Sequence, residues 1–81
     1  MTNKVIVYTT NDCIECTMVK RVLEEEGIQF EARDISTNPT FKSEVETYGF
    51  LGVPVTVFGG KAVKGFTNEL KEIIQLAKLQ L

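Results

Sequence analysis

The sequence of 81 residues contains no histidine, no tryptophan and only two cysteines. These absences leave a zinc ion with few of its usual ligands, because one C-x-x-C pair supplies only half of a structural site. A zinc or cluster site would need two chains that share their cysteine pairs, or carboxylate ligands in no evident pattern. We therefore expect no resident metal, and a metal- or cluster-binding dimer is the alternative from another class of function.

A long apolar run is also missing. The longest nearly apolar stretch, residues 50–60, has 11 residues, whereas a membrane-spanning helix needs about 20. The first residues, MTNKVIVY, lack the apolar stretch and small-residue cleavage site of a signal peptide. We expect a cytoplasmic protein without membrane contact, in a compartment where a lasting structural disulfide is unusual.

Charge and motif content exclude further classes. Nine Lys and Arg against eleven Asp and Glu give a formal net charge of -2, so no basic surface for nucleic acid is evident. The chain has no glycine-rich phosphate loop and no nicotinamide fingerprint. We expect one domain over residues 1–81, a monomer, that binds no cofactor and receives electrons from a partner or a small thiol.

Four segments have the residue pattern of β-strands. Residues 4–8 are rich in β-branched residues and contain no break, which is typical of a strand buried on both faces. Apolar and polar residues alternate in residues 28–33, which predicts a strand with one buried face. Residues 55–58 and 61–64 flank a Gly59–Gly60 turn and predict a hairpin.

Three further segments have apolar residues at helical spacing. Each is bounded by residues that favour helix starts or ends. The predicted boundaries are Asn11 or Asp12 to Gly27 for the first helix, Pro39 to Gly49 for the second, and Thr67 to Leu81 for the third.

The predicted element order is βαβαββα. Helices between the first three strands predict two parallel, right-handed crossovers, and the hairpin adds an antiparallel edge. This order indicates an α/β fold with a mixed four-stranded sheet covered by three helices.

Cys13 and Cys16 stand at the start of the first predicted helix. As a permanent staple the pair would contribute only about 2 kcal/mol in the loop-entropy model, and cytoplasmic reductants would open it. At a helix start, free backbone N–H groups favour the Cys13 thiolate. Cys16 lies on the same helical face and can attack a mixed disulfide. We therefore favour a reversible disulfide, in which Cys13 attacks and Cys16 resolves.

Two acidic residues, Asp12 and Glu15, flank Cys13. Their charge opposes the thiolate, and no Lys, Arg or His stands between residues 5 and 19. We predict a reducing pair, closer to a thioredoxin-like potential of roughly -270 mV than to glutaredoxin values of about -200 to -230 mV. The alternative for both carboxylates is ordinary capping at a helix start.

Three segments are similar to the glutaredoxin branch of the thioredoxin-fold family: VYTTNDCIEC, GVPV and GGKAVKGF. The resemblance covers essentially the full chain and implies a thioredoxin fold, with Cys13 as nucleophile and Cys16 as resolving cysteine. It also implies a cis bond between Val53 and Pro54, with the Val53 backbone able to pair with a bound peptide or glutathione.

Within this branch the chain resembles the NrdH-type redoxins, because NDCIEC is combined with Gly65 and Phe66. Thr10 stands where glutaredoxins commonly have a glutathione-binding lysine. The resemblance implies reduction of protein disulfides with electrons from thioredoxin reductase and NADPH, with ribonucleotide reductase as recipient. A glutathione-dependent glutaredoxin is the alternative. The candidate contacts to a substrate or partner are Thr10, Val53, Pro54, Gly65 and Phe66, although Phe66 could equally staple the last helix to the core.

Overall fold

The computed structural model describes residues 4–79. Its elements follow the predicted order: β1 (Val5–Thr9), α1 (Ile14–Glu25), β2 (Phe30–Asp34), α2 (Pro39–Thr47), β3 (Val55–Phe58), β4 (Lys61–Lys64) and α3 (Asn68–Leu79). The bounds of the β3–β4 hairpin coincide with those predicted. Leu81, the predicted end of the last helix, lies outside the described residues.

The four strands form one sheet in the order β2-β1-β3-β4. β1 and β2 are parallel, as predicted, with Val5 opposite Phe30. The predicted second parallel crossover is wrong, because β3 runs antiparallel to β1 and pairs its Val55 with Tyr8. After α2, residues 48–54 lead the chain back to the end of the sheet at which β1 finishes, so β3 begins beside the last residues of β1. A helix between two strands therefore does not by itself make them parallel.

The helices cover both faces of the sheet. Since strand side chains alternate between faces, β1 contributes to two cores and is buried on both sides, as predicted. One core lies under α1 and α3 and includes Val5, Val7, Val19, Leu23, Phe58, Leu70 and Ile73. The other lies under α2 and includes Tyr8, Val45, Val55 and Val57.

The helix ends agree with most of the predicted signals. Asn38 caps α2 by accepting the backbone N–H of Thr40 at 2.9 Å, and Pro39 occupies the first helical position. Gly27 has a φ of 75° directly beyond α1, where a left-handed residue stops a helix. Thr67 precedes α3, and its carbonyl oxygen accepts the N–H of Leu70 at 3.1 Å.

The edge strand β2 departs from its predicted pattern. Phe30 packs against the core, but Ala32 is exposed although its side chain was expected on the buried face. The polar Arg33 is half-buried instead, because its guanidinium lies over the rings of Tyr8 and Phe41. An edge strand has a neighbour on only one side, so alternation alone does not determine which side chains are covered.

Arg33 belongs to a polar cluster between β1, β2 and α2. The Tyr8 hydroxyl donates to Glu44 Oε1 at 2.8 Å, and Arg33 Nη1 donates to the same oxygen at 2.9 Å. Burial, followed by the bond to Glu44, raises the pKa of Tyr8 to about 12. The hydrogen bond from Arg33 to Glu31 lowers the pKa of the Glu31 carboxyl group, and the same bond raises the pKa of the Arg33 guanidinium.

Candidate redox site

Cys13 and Cys16 are joined by a disulfide where β1 leads into α1, with their Cα atoms 5.2 Å apart. The two sulfurs differ in access: Cys13 is half-buried, whereas Cys16 is only 1% exposed. A bulky reactant can therefore approach Cys13 but not Cys16. This asymmetry fits the predicted division into an attacking and a resolving cysteine.

Cys13 itself is the N-cap of α1. Its Sγ atom accepts the backbone N–H of Cys16 at 3.2 Å, and its carbonyl oxygen accepts the N–H of Thr17 at 3.1 Å. The prediction of Asn11 or Asp12 as the cap is therefore wrong. The N–H of Cys16 points at the sulfur instead, and a sulfur at the N-terminus of a helix is placed where a thiolate is stabilised.

Asp12 has a φ of 56° and is exposed. This left-handed conformation turns the chain from β1 into α1, and Asp and Asn tolerate it better than most side chains. The capping alternative for Asp12 is thus excluded, and its charge remains one residue from Cys13.

Glu15 contacts a distant part of the chain. Its Oε2 accepts the backbone N–H of Phe66 at 3.3 Å, so it links the first turn of α1 to the segment between β4 and α3. A Cβ on Gly65 would lie 3.3 Å from the same oxygen, and Gly65 has a φ of 84°. A side chain at Gly65 would therefore be strained and would crowd this carboxylate.

The Val53–Pro54 peptide bond is cis, as the family resemblance implies. Pro54 is buried at the entry of β3, and Val53 is half-buried. The carbonyl oxygen of Pro54 accepts the N–H of Gly65 at 2.8 Å. Hydrogen bonds thus connect the three segments that carry the predicted site residues.

An open, polar cleft of about 590 Å³ lies beside the nucleophile; its lining residues are Thr10, Asn11, Asp12, Cys13, Ile14, Thr17 and Lys20. It includes Thr10, one of the predicted binding residues. Lys20 is not among the predicted site residues, because that prediction considered only residues 5–19 as neighbours of Cys13. Its spacing of seven residues, about two helical turns, would have placed it on the face of Cys13. The cleft is therefore lined by a positively charged side chain, Lys20, as well as by the negatively charged Asp12.

Three apolar side chains on the site segments are exposed: Ile14 by 80%, Leu51 by 90% and Phe66 by 41%. Phe50, by contrast, packs against the core under α2, which assigns Phe50 to the core and Leu51 to the surface. Phe66 also lines a groove between α1 and α3 with Val22. The surroundings of Cys13 thus combine a polar cleft with apolar surface.

Residues 4–79 contain neither a candidate metal site nor a membrane-spanning helix. No group of three or more Cys, Asp or Glu side chains in this range could hold a metal ion. Within the same range, no helix has the length and apolar character needed to cross a membrane.

Known proteins share both the sequence pattern and the fold. A model of the glutaredoxin family matches residues 5–63. The glutaredoxin-like protein NrdH of Lactococcus lactis subsp. lactis (strain IL1403) is 39% identical over 75 residues, which cover 93% of this chain and 97% of the relative. NrdH of Escherichia coli (strain K12) is 30% identical over 67 residues, or 83% of each chain.

A solved structure of the E. coli NrdH-redoxin superposes with a TM-score of 0.79 and 28% identity, over 86% of this chain and 93% of that one. The superposition confirms the thioredoxin-like fold expected from the element order and the resemblance. With a cysteine pair at disulfide distance and NrdH relatives over most of its length, the chain belongs to the glutaredoxin family and is an NrdH-like thiol–disulfide oxidoreductase.

Proposed function

We propose that this protein reduces disulfides in a partner protein and is itself reduced by thioredoxin reductase with NADPH. The difference in exposure between Cys13 and Cys16 carries the proposal, because it leaves one sulfur for the partner and hides the other. Ribonucleotide reductase is the proposed recipient, on the basis of the similarity to NrdH proteins. The E. coli NrdH-redoxin is described by a thioredoxin-like activity profile.

The proposed reaction has two displacement steps. The Cys13 thiolate attacks one sulfur of the partner disulfide; that S–S bond breaks, and the other partner sulfur leaves as a thiolate that takes up a proton. Cys16 then loses its proton and attacks Cys13 Sγ in the mixed disulfide. The Cys13–Cys16 disulfide forms and the second partner thiol is released. Two electrons have passed to the partner, and the reductase restores them.

Backbone groups at the cis proline are proposed to hold the partner. Val53 precedes Pro54 at the entry of β3 and would pair with an extended segment of the partner as an added strand. Thr10, Gly65 and Phe66 are the further proposed contacts. This arrangement would present the partner disulfide to Cys13, and it needs no bound cofactor.

The proposed compartment follows from the same chemistry. A dithiol that reduces other proteins needs reducing surroundings, so we place this protein in the cytoplasm. We propose that a single domain, residues 1–81, acts as a monomer.

Glutathione is the competing electron source. Lys20 favours it, because an ammonium group in the cleft beside Cys13 could pair with a glutathione carboxylate. Thr10 favours thioredoxin reductase, because it provides no charge where glutaredoxins commonly have a lysine.

Two parallel assays decide between the electron sources. Reduction of insulin disulfides is followed with NADPH and thioredoxin reductase, and separately with NADPH, glutathione and glutathione reductase. We expect turnover with the first system and little with the second. Turnover with the glutathione system and not with thioredoxin reductase would overturn the proposed electron source and make the protein a glutathione-dependent glutaredoxin.

A further inference from the structure

The hydrogen bond between Glu15 and Phe66 joins residues that are 51 positions apart. It connects the turn that carries the cysteines with the segment that leads into α3. Glu15 is not the helix cap, since Cys13 has that place. Its carboxylate is therefore free to bind a backbone group outside its own helix.

The segment of Gly65 and Phe66 is held from two sides. Pro54 accepts the N–H of Gly65 at 2.8 Å, and Glu15 accepts the next N–H, that of Phe66, at 3.3 Å. The absence of a side chain at Gly65 leaves room for the carboxylate. If the Glu15 carboxylate were lost, the bond from Gly65 to Pro54 would remain and the bond from Phe66 would not.

The side chain of Phe66 is 41% exposed, so it combines a tethered backbone with an accessible ring. A side chain whose backbone is held in place makes a better binding contact than one on a mobile segment, because less conformational freedom is lost on association. Ile14 stands beside Glu15 and is exposed as well.

We propose that Glu15 is a positioning residue that holds Phe66 in place for the disulfide-bearing protein. This inference rests on the proposed function, since it assigns to Glu15 a part in binding the protein substrate. It predicts that loss of the Glu15 carboxylate weakens the encounter with a folded protein while the sulfur chemistry of Cys13 is retained.

The competing role for Glu15 is to tune the reactivity of the cysteines through its negative charge. A variant with glutamine at this position distinguishes this role from the positioning role. Glu15→Gln keeps a carbonyl oxygen that can accept the Phe66 N–H but removes the charge. Glu15→Ala removes both. A binding role thus predicts that glutamine rescues, whereas a charge role predicts that glutamine and alanine behave alike.

The test compares fully reduced wild type, Glu15→Ala and Glu15→Gln in single-turnover reactions, which need no reductase. The two oxidants are insulin, as a protein disulfide, and 2-hydroxyethyl disulfide, as a small neutral one. For Glu15→Ala we expect the second-order rate with insulin to fall about three- to tenfold, the effect of one hydrogen bond. The rate with the small disulfide should change less than about twofold, and Glu15→Gln should restore the insulin rate.

Phe66 supplies a second comparison. Phe66→Ala should slow the insulin reaction, and adding Glu15→Ala should slow it no further, because both changes remove the same contact. In the wild type, the Phe66 amide should exchange with solvent more slowly than in Glu15→Ala. Thermal unfolding of each variant checks that the fold is retained.

The outcomes separate this inference from the proposed function. An active wild type whose insulin rate is unchanged by Glu15→Ala overturns the positioning role alone. Equal changes in rate with both disulfides, or a glutamine variant that behaves like alanine, overturn it in favour of charge tuning. A wild type that does not reduce insulin overturns the proposed function and this inference with it.

Discussion

Cys13 Sγ accepts the backbone N–H of Cys16 at 3.2 Å, so the two cysteines are linked by a cap as well as by their disulfide. The bond holds the Cys13 sulfur at the positive end of α1 and near solvent, with Cys16 behind it. Access and stabilisation of negative charge thus coincide at one sulfur atom.

Cys16→Ser should trap the mixed disulfide between Cys13 and a protein substrate. Without the buried second thiol, the intermediate has no internal attacker and persists. Non-reducing electrophoresis and mass spectrometry after reaction with insulin should show the covalent complex. Cys13→Ser should form no complex and show no activity, since Cys16 is 1% exposed. Normal turnover by Cys16→Ser on protein disulfides would disprove the two-thiol mechanism.

Asp12→Asn should raise the reduction potential of the cysteine pair. Asparagine tolerates the left-handed conformation of this position, so the change removes mainly a negative charge near the thiolate. The reduced form gains stability, and we expect a rise of about 10 mV for a charge near the surface. Redox titration against a thioredoxin couple measures it.

Asp12→Gly is the matched variant, because it removes the same charge and relieves the backbone strain of a φ of 56°. It should shift the potential as much as Asp12→Asn and also raise the free energy of unfolding by about 0.5 kcal/mol. A potential that stays constant in both variants would contradict a tuning role for Asp12.

Lys20→Gln should slow alkylation of Cys13 in the reduced protein by iodoacetamide at neutral pH by about twofold, because Lys20 lines the same cleft as Cys13 and a cation near a thiol favours its thiolate. Lys42→Gln is the control, since Lys42 is exposed on α2 at the other face of the sheet. It carries the same charge change and should leave the rate unaltered. Equal rates for wild type and Lys20→Gln would restore the original expectation that no cation influences Cys13.

Local patterns predicted much of this structure, because they depend on neighbouring residues. The hairpin bounds follow from a Gly59–Gly60 turn between two short strands, and the start of α2 follows from Asn38 and Pro39. Placing both cysteines at a helix start required only their spacing and the turn before them. The cis bond at Pro54 required the family resemblance, since most bonds before proline are trans.

Two of the features that were missed depend on distant parts of the chain. The direction of β3 is set by the path of residues 48–54, which no periodicity describes. The bond between Glu15 and Phe66 joins two elements that meet only in the folded protein. Lys20 differs from both, because helical spacing alone would have indicated it. The failed cap prediction has a third cause: cysteine is not among the residues usually expected to cap helices.

The pH dependence of stability should reveal the buried hydroxyl of Tyr8. Its pKa is raised to about 12 in the folded protein, mainly by burial and then by the bond to Glu44, against about 10 in the unfolded chain. Between about pH 10 and 12 the folded state therefore keeps the hydroxyl proton, whereas the unfolded state has lost it. The contribution is fully present below pH 10 and is lost as the pH rises from about 10 to 12, by roughly 2 kcal/mol.

Tyr8→Phe isolates this effect. At neutral pH it should lower the free energy of unfolding by about 1 kcal/mol, since the bond to Glu44 and the longer bond from Arg33 Nη1 at 3.3 Å are lost while Arg33 still satisfies Glu44. Denaturant unfolding of the oxidised proteins at several pH values should show the difference from wild type shrinking above about pH 10 and reversing in sign before pH 12. Tyr48→Phe, at an exposed position, should follow the wild-type curve. A difference independent of pH would mean that Tyr8 ionises in the folded protein as it does in the unfolded chain.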